Sequence, residues 1–282
     1  MDTGVAKGHA ALSNVVGGAN LVFDEIRDDP GASDDWGPAN TEGEHGTHVA
    51  GIVGATPVGA SAVRGVAPGV APGVRIRSYR VFPHAGEGAT NYDILSAVER
   101  AVADGCHVVN LSLGGGAADA AVRAAIGAAL DTGTLVVAAA GNDGRKPVSF
   151  PAAMHACVGV SAMGRKGSFP TDSTESAEIA KPFGSYPSDF VAGFSNFGPH
   201  IDLTAPGVGI VSTLPDGGYG VMSGTSMACP AIAGFAAYVL ASNPAIMALE
   251  GAERTRAWKT KLYSAARLLK FGRDYEGFGL PS

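Results

Sequence analysis

The spacing of apolar positions changes several times along the chain, and each change predicts an element. Short β-branched, apolar runs at residues 74–82, 107–113, 134–140 and 157–163 predict strands, with a weaker one at 201–204. Between them the spacing lengthens to that of a helix. Residues 91–104 set Ile94, Val98, Ala101 and Val102 on one face, and residues 117–131 do the same with Val122, Ile126, Ala129 and Leu130. Two more helices are predicted near residues 225–241 and 250–269. Strands alternating with helices over short connections imply right-handed crossovers and an α/β fold with a mostly parallel sheet.

Two segments break the alternation. Val66-Ala67-Pro68-Gly69 recurs at once as Val70-Ala71-Pro72-Gly73, which reads as an extended loop. Residues 165–189 are rich in Ser, Thr and Pro and have no clear period, so they read as a long surface insertion. Neither marks a boundary, and the expectation is one domain over residues 1–282.

Composition narrows the classes. With 46% hydrophobic and 16% charged residues, the 282-residue chain is neither disordered nor a coiled coil. Its 41 glycines have no collagen-like repeat and mark tight turns and close backbone approaches. A net charge of −6 argues against nucleic acid or an anionic membrane as partner. The longest apolar run, residues 228–241, is broken by Pro230 and Gly234 and is too short to span a bilayer. Met1 is followed at once by Asp2-Thr3-Gly4, with no signal-peptide pattern. The three cysteines, Cys106, Cys157 and Cys229, sit among apolar residues and read as buried free thiols.

Three short motifs carry chemistry: Asp2-Thr3-Gly4, His45-Gly46-Thr47-His48-Val49-Ala50-Gly51 and Gly224-Thr225-Ser226-Met227-Ala228-Cys229-Pro230. The last places Ser226 at a helix N-terminus, where free amides and the positive end of the dipole favour a developing oxyanion. The plainer alternative is simple N-capping by Thr225 or Ser226. Pro230 is read as tolerable because it falls in the first turn of that helix. His45 and His48 have a spacing that permits metal ligation, but no acidic or Cys cluster accompanies them.

Together these motifs, in the order Asp, His, Ser, closely resemble the subtilisin-like serine proteases, or subtilases. The resemblance runs from the first residues to about Gly279. It implies the three-layer α/β/α subtilase fold and a serine endopeptidase. In that reading Ser226 is the nucleophile, His45 the general base, and Asp2 the residue that orients His45. His48 serves packing or a hydrogen bond. Asn142, in Ala140-Gly141-Asn142-Asp143-Gly144, matches the family's oxyanion-hole asparagine; alone it would read as a turn residue. Ser112, Leu113 and Gly114 are then one wall of the substrate site and Ala139, Ala140 and Gly141 the other. Phe150-Pro151 lies near the pocket floor, and Ile94 lines a further subsite with Asn91 nearby. Small residues on both walls leave room for an apolar P1 side chain.

The same resemblance shapes the remaining expectations. No cofactor is required for the chemistry. The family's strong calcium site is expected to be missing, because its carboxylate position falls on Ala11 in His9-Ala10-Ala11-Leu12 and no calcium loop is recognisable in residues 55–64. Asp202 matches a residue used for a second calcium in some relatives, with carbonyls of the turn around His155 as partners; structural hydrogen bonding is the alternative. The family places a buried strand immediately before the triad aspartate and a propeptide before that, so both are expected to be lacking from this chain. The partner is a peptide or protein substrate, with a propeptide from outside the chain as a second. Secretion follows from the resemblance alone. Two rivals stay open: an acyl transferase or peptide macrocyclase on the same fold, for which residues 165–189 would form a shielding lid, and a truncated, inactive binding remnant.

Overall fold

The computed structural model describes residues 1–38, 43–56, 68–84 and 88–282. β1 (Val15–Asn20) and α1 (Phe23–Asp28) precede α2 (Glu44–Gly54), β2 (Ile76–Arg80), α3 (Asn91–Ala103), β3 (Val108–Leu111), α4 (Ala120–Asp131) and β4 (Leu135–Ala139). Then follow β5 (Cys157–Arg165), β6 (Ile179–Phe183), β7 (Asp189–Ala192), β8 (Leu203–Pro206), β9 (Ile210–Thr213) and β10 (Tyr219–Met222). The chain continues through α5 (Thr225–Ala241), α6 (Pro244–Met247) and α7 (Gly251–Ser264).

The central sheet is mixed. β3, β4 and β5 are parallel neighbours, and β8 runs parallel to the second half of β5. β7 pairs antiparallel with the end of β5, and β6 pairs antiparallel with β7. β1 and β2 form a separate parallel pair. β4 shows why its sequence is apolar throughout: Val136 and Ala138 pack with α3 and α4, whereas Leu135, Val137 and Ala139 pack with α5 and α7. A strand covered on both faces has no polar side. This is a three-layer α/β/α arrangement with a mixed sheet.

Several predicted boundaries shift. α7 stops at Ser264, short of residue 269, and the Leu269 amide instead donates to Glu276 Oε2. β1 was not predicted, because Gly17 and Gly18 blur its alternation; Gly18 is needed there, since a Cβ would collide with the Ser78 carbonyl of β2. Residues 165–189 are not irregular throughout: they contain β6, and an Arg165–Asp189 ion pair of 2.7 Å ties their two ends together. Cys157 and Cys229 are buried, Cys106 only partly. Of residues 55–64, all beyond Thr56 lie outside the described residues, as do Val66 and Ala67 of the duplicated tetrapeptide.

Residues 1 and 2 lie between β2 and β3. The Asp2 amide donates to the Tyr79 carbonyl, the Val81 amide donates to the Asp2 carbonyl, and the Met1 ammonium donates to the Asn110 carbonyl. A cavity of about 440 Å³ lined by both strands adjoins them. The register partner of Asp2, Arg80, is fully buried, and its guanidinium pairs with Glu25 at 2.8 Å. Burial alone would raise the Glu25 pKa, but the His84 amide, Arg80, the His84 ring and Asn20 all hydrogen-bond the carboxylate and bring it down to about 2.

Glu25→Gln should therefore leave Arg80 poorly paired and cost about 2–3 kcal/mol at neutral pH, read by urea unfolding. The folded pKa lies below the ordinary 4.5, so the stabilisation is complete above that value and is lost as the pH falls through about 2. The difference between wild type and variant should close across that window; a difference independent of pH would contradict this account.

Candidate active site

The site is assembled from three element ends. α2 begins at Glu44, so His45 lies in its first turn. Gly46 must be glycine, since a Cβ would strike the Gly4 carbonyl, and its amide donates to Thr3 Oγ1 at 3.0 Å. These contacts dock the start of α2 on the Asp2-Thr3-Gly4 turn. There His45 Nδ1 lies 2.7 Å from Asp2 Oδ1, which also accepts the Thr3 amide at 2.8 Å. Asp2 is 5% exposed and is held by its main chain, so its carboxylate is fixed.

His45, Val49 and Ile52 share one face of α2, and Val49 and Ile52 pack against Met227 of α5. That contact brings His45 and Ser226 to adjoining helix ends. Ser226 is the second residue of α5, preceded by Gly224 as N-cap. Its hydroxyl donates to the Ser112 carbonyl at 3.2 Å. Pro230 is the sixth residue of α5 and not in the first turn as expected from the sequence. It lacks the amide that would bond the Ser226 carbonyl. The Ser112 hydroxyl supplies the missing donor at 2.8 Å, and Asn110 Nδ2 in turn donates to Ser112 Oγ at 3.0 Å.

Asn142 follows β4. Its Oδ1 accepts the Thr225 amide and the Thr225 hydroxyl, both at 2.9 Å. The amide nitrogen is thereby turned the other way, beside Gly224, and has no partner among the described residues. The Ser226 amide, at the helix start, is likewise without one.

A cavity of about 580 Å³ opens at this junction. Ile94, Ser112, Leu113, Gly114, Ala139 and Gly141 line it, together with Asn142, Ser226, Phe150 and Pro151. Phe82, Ala89 and Val122 line it too and were not anticipated. Ala140 does not: it is fully buried in the core on the α3 and α4 side, and its amide bonds Val160 of β5. Successive residues leaving a strand face opposite ways, so Ala139 and Ala140 cannot both line one cavity.

Asn196 was also missed. Fully buried, it donates to the Ala140 carbonyl, Asp143 Oδ2 and Ser149 Oγ, and accepts from the Asp143 amide. It thereby braces the whole loop that carries Asn142. A lone Asn in a turn-rich segment gives no sequence signal for such a role.

Charge is apportioned by burial. For His45, burial is the largest effect and lowers the pKa, but the charge and hydrogen bond of Asp2 outweigh it, so the net shift is upward. For Asp2, burial pushes up, and His45, the Met1 ammonium and the Thr3 amide bring the net shift downward. His48 is different. Buried, with Nε2 on the Ile210 and Gly220 carbonyls, it is pushed down to about 4 and stays neutral. Among the described residues no cluster of three or more His, Cys, Asp or Glu side chains could hold a metal ion. The Asp202 carboxylate accepts the Gly159 amide, and the turn carbonyls near His155 are bonded by Lys259.

Comparison with known proteins gives one answer. The profile of the Subtilase family matches residues 1–277. Subtilisin DY of Bacillus licheniformis is 35% identical over 267 residues, covering 93% of this chain and 82% of that protein. Subtilisin E of Bacillus subtilis (strain 168) is 33% identical over 248 residues, covering 86% of this chain and 55% of that protein. The chain thus spans only about half the length of several relatives it matches. Among solved structures, S41 psychrophilic protease superposes with a TM-score of 0.75 at 29% identity, covering 100% of this chain and 89% of that one. Sphericase gives 0.74 at 28%, covering 99% and 88%.

The two histidines should separate cleanly in an NMR titration. His45 is expected to titrate above 6.5 and His48 near 4. Asp2→Asn should lower the His45 midpoint. Because the folded pKa is raised, the Asp2–His45 pair stabilises the fold fully below 6.5, and that stability is lost as the pH rises through the folded value. An unchanged His45 midpoint in Asp2→Asn would refute the pairing.

Proposed function

We propose that this chain, which belongs to the subtilase family of serine endopeptidases, hydrolyses peptide bonds with Asp2, His45 and Ser226 as catalytic triad. The 2.7 Å contact between His45 Nδ1 and the buried Asp2 carboxylate carries this reading. It fixes the tautomer that leaves Nε2 as the base. Ser226 Oγ attacks the scissile carbonyl carbon and passes its proton to His45 Nε2. To do so the hydroxyl leaves the Ser112 carbonyl and turns to the imidazole, an adjustment that substrate binding commonly brings about. Asp2 stabilises the imidazolium. The negative oxygen of the tetrahedral adduct accepts from Asn142 Nδ2 and the Ser226 amide, both without partners among the described residues. His45 then protonates the departing amine. Water, deprotonated by the same imidazole, attacks the acyl-enzyme and releases the acid.

The substrate is an extended peptide. Leu113 and Gly114 make no hydrogen bond among the described residues, so the chain leaving β3 offers an edge to which a peptide can add as a strand. Walls of Gly114, Ala139 and Gly141 over Phe150 and Pro151 suit a large apolar P1 side chain. No residue of 165–189 lines the cavity, so nothing there shields the acyl-enzyme from water, and hydrolysis is favoured over transfer to an amine. Secretion and a propeptide partner accompany this reading. Subtilases need no cofactor for the chemistry. No helix among the described residues is long and apolar enough to cross a membrane.

A fluorophosphonate probe should label Ser226, located by peptide mass spectrometry, and Ser226→Ala should take no label. Asn142→Ala should keep KM for a chromogenic peptide with Phe at P1 near its wild-type value and lower kcat by roughly 100- to 1000-fold, the loss known for this group in subtilisin itself. Equal labelling of Ser226→Ala would sink the assignment.

A further inference from the structure

We propose that Lys259 is the resident cation of the turn before β5: its ammonium occupies the carbonyl cradle beside Asp202, so that this place takes no calcium ion.

Three successive carbonyls, those of His155, Ala156 and Cys157, converge on Lys259 Nζ at 2.9, 3.1 and 2.9 Å. Carbonyl dipoles gathered on one point repel each other, and such a cradle is the donor set of a hard cation. An ammonium has three protons, and here each oxygen can take one. The carboxylate that would complete a metal's coordination is engaged otherwise. Asp202 Oδ2 accepts the Gly159 amide at 2.9 Å, and the Tyr263 hydroxyl beside it favours the ionised carboxylate. The residues present do not fit a divalent ion, because the oxygens it needs already hold a fixed positive charge.

The lysine is delivered by a rigid support. Its neighbour Trp258 is fully buried and donates from Nε1 to the Ala236 carbonyl of α5 at 3.0 Å. Thr255, one turn earlier, donates to the Leu130 carbonyl at the end of α4. Leu262 is buried on the same face. Burial lowers the Lys259 pKa, and the Asp202 charge works against that loss. The turn is continuous with the floor of the substrate cavity. The Ala153 amide bonds the Ser149 carbonyl, and Met154 bonds that of Pro151. Lys259 therefore braces the segment behind the cavity without any ion from solution.

Thermal melting in EDTA and in excess calcium tests this on wild type, Lys259→Ala, Asp202→Asn and the double variant. Wild type and Asp202→Asn should respond to calcium equally, so that any response belongs to another place. Lys259→Ala should melt roughly 5–10 °C lower in EDTA. It should gain a calcium-dependent rise that wild type lacks and that the double variant loses. A calcium response of wild type abolished by Asp202→Asn would overturn the proposal. So would a Lys259→Ala protein that melts like wild type or ignores calcium. Should Lys259→Ala not fold, acetic anhydride footprinting of wild type decides the matter. Lys259 should be equally protected with and without calcium, and exposure of its amine by calcium would overturn the proposal.

Discussion

The start of α5 is buried, and buried backbone groups must find partners; most of the site follows from that requirement. Asn142 Oδ1 takes the Thr225 amide, Thr225 Oγ1 takes the Gly141 amide, and the Ser112 hydroxyl takes the Ser226 carbonyl that Pro230 leaves unbonded. Together these contacts tie α5 to the ends of two strands. β3 contributes the Ser112 segment and β4 the Asn142 loop. Asn142 Nδ2 and the Ser226 amide are left as donors, and the proposed chemistry would use both. Pro230, usually a defect within a helix, here frees the carbonyl that fastens the turn of Ser226 to the strand end at Ser112.

Electrostatics around β2 is divided between two acids. Arg80, fully buried, directs its guanidinium to Glu25, with Asp35 farther off. Asp2, its register partner, keeps its carboxylate for His45. His48 illustrates the converse. One helical turn from His45, it is buried among carbonyls with no carboxylate partner among the described residues, and it remains neutral.

Where a cation or a donor is wanted inside this molecule, the chain tends to supply it. Lys259 holds three turn carbonyls, and Asn14 Nδ2 bridges the carbonyls of Gly54 and Val74. A donor on a side chain is already paid for in folding and is not lost by dilution, whereas a bound ion stabilises only by mass action.

The sequence by itself determined the fold class, the helices near residues 91–104 and 225–241, and the proposal of Asp2, His45 and Ser226 as triad, because each depends on local spacing or on a motif whose residues are neighbours in the chain. Gly46 belongs to one of those motifs, although what keeps it small is the Gly4 carbonyl, far away in the chain. Only the tertiary structure decided the rest. The Ser112 hydroxyl meets the Ser226 carbonyl across 114 residues, Lys259 meets His155 across 104, and Asn196 reaches Ala140 across 56. Nothing local distinguishes these side chains from others of their kind. Ala139 and Ala140 are the sharpest case. They are identical in type and adjacent in sequence, yet one lines the cavity beside Ser226 and the other is buried against the opposite layer. Which of two neighbouring strand residues faces a given side is set by the register of the sheet, and register is fixed by packing against elements far away in the chain.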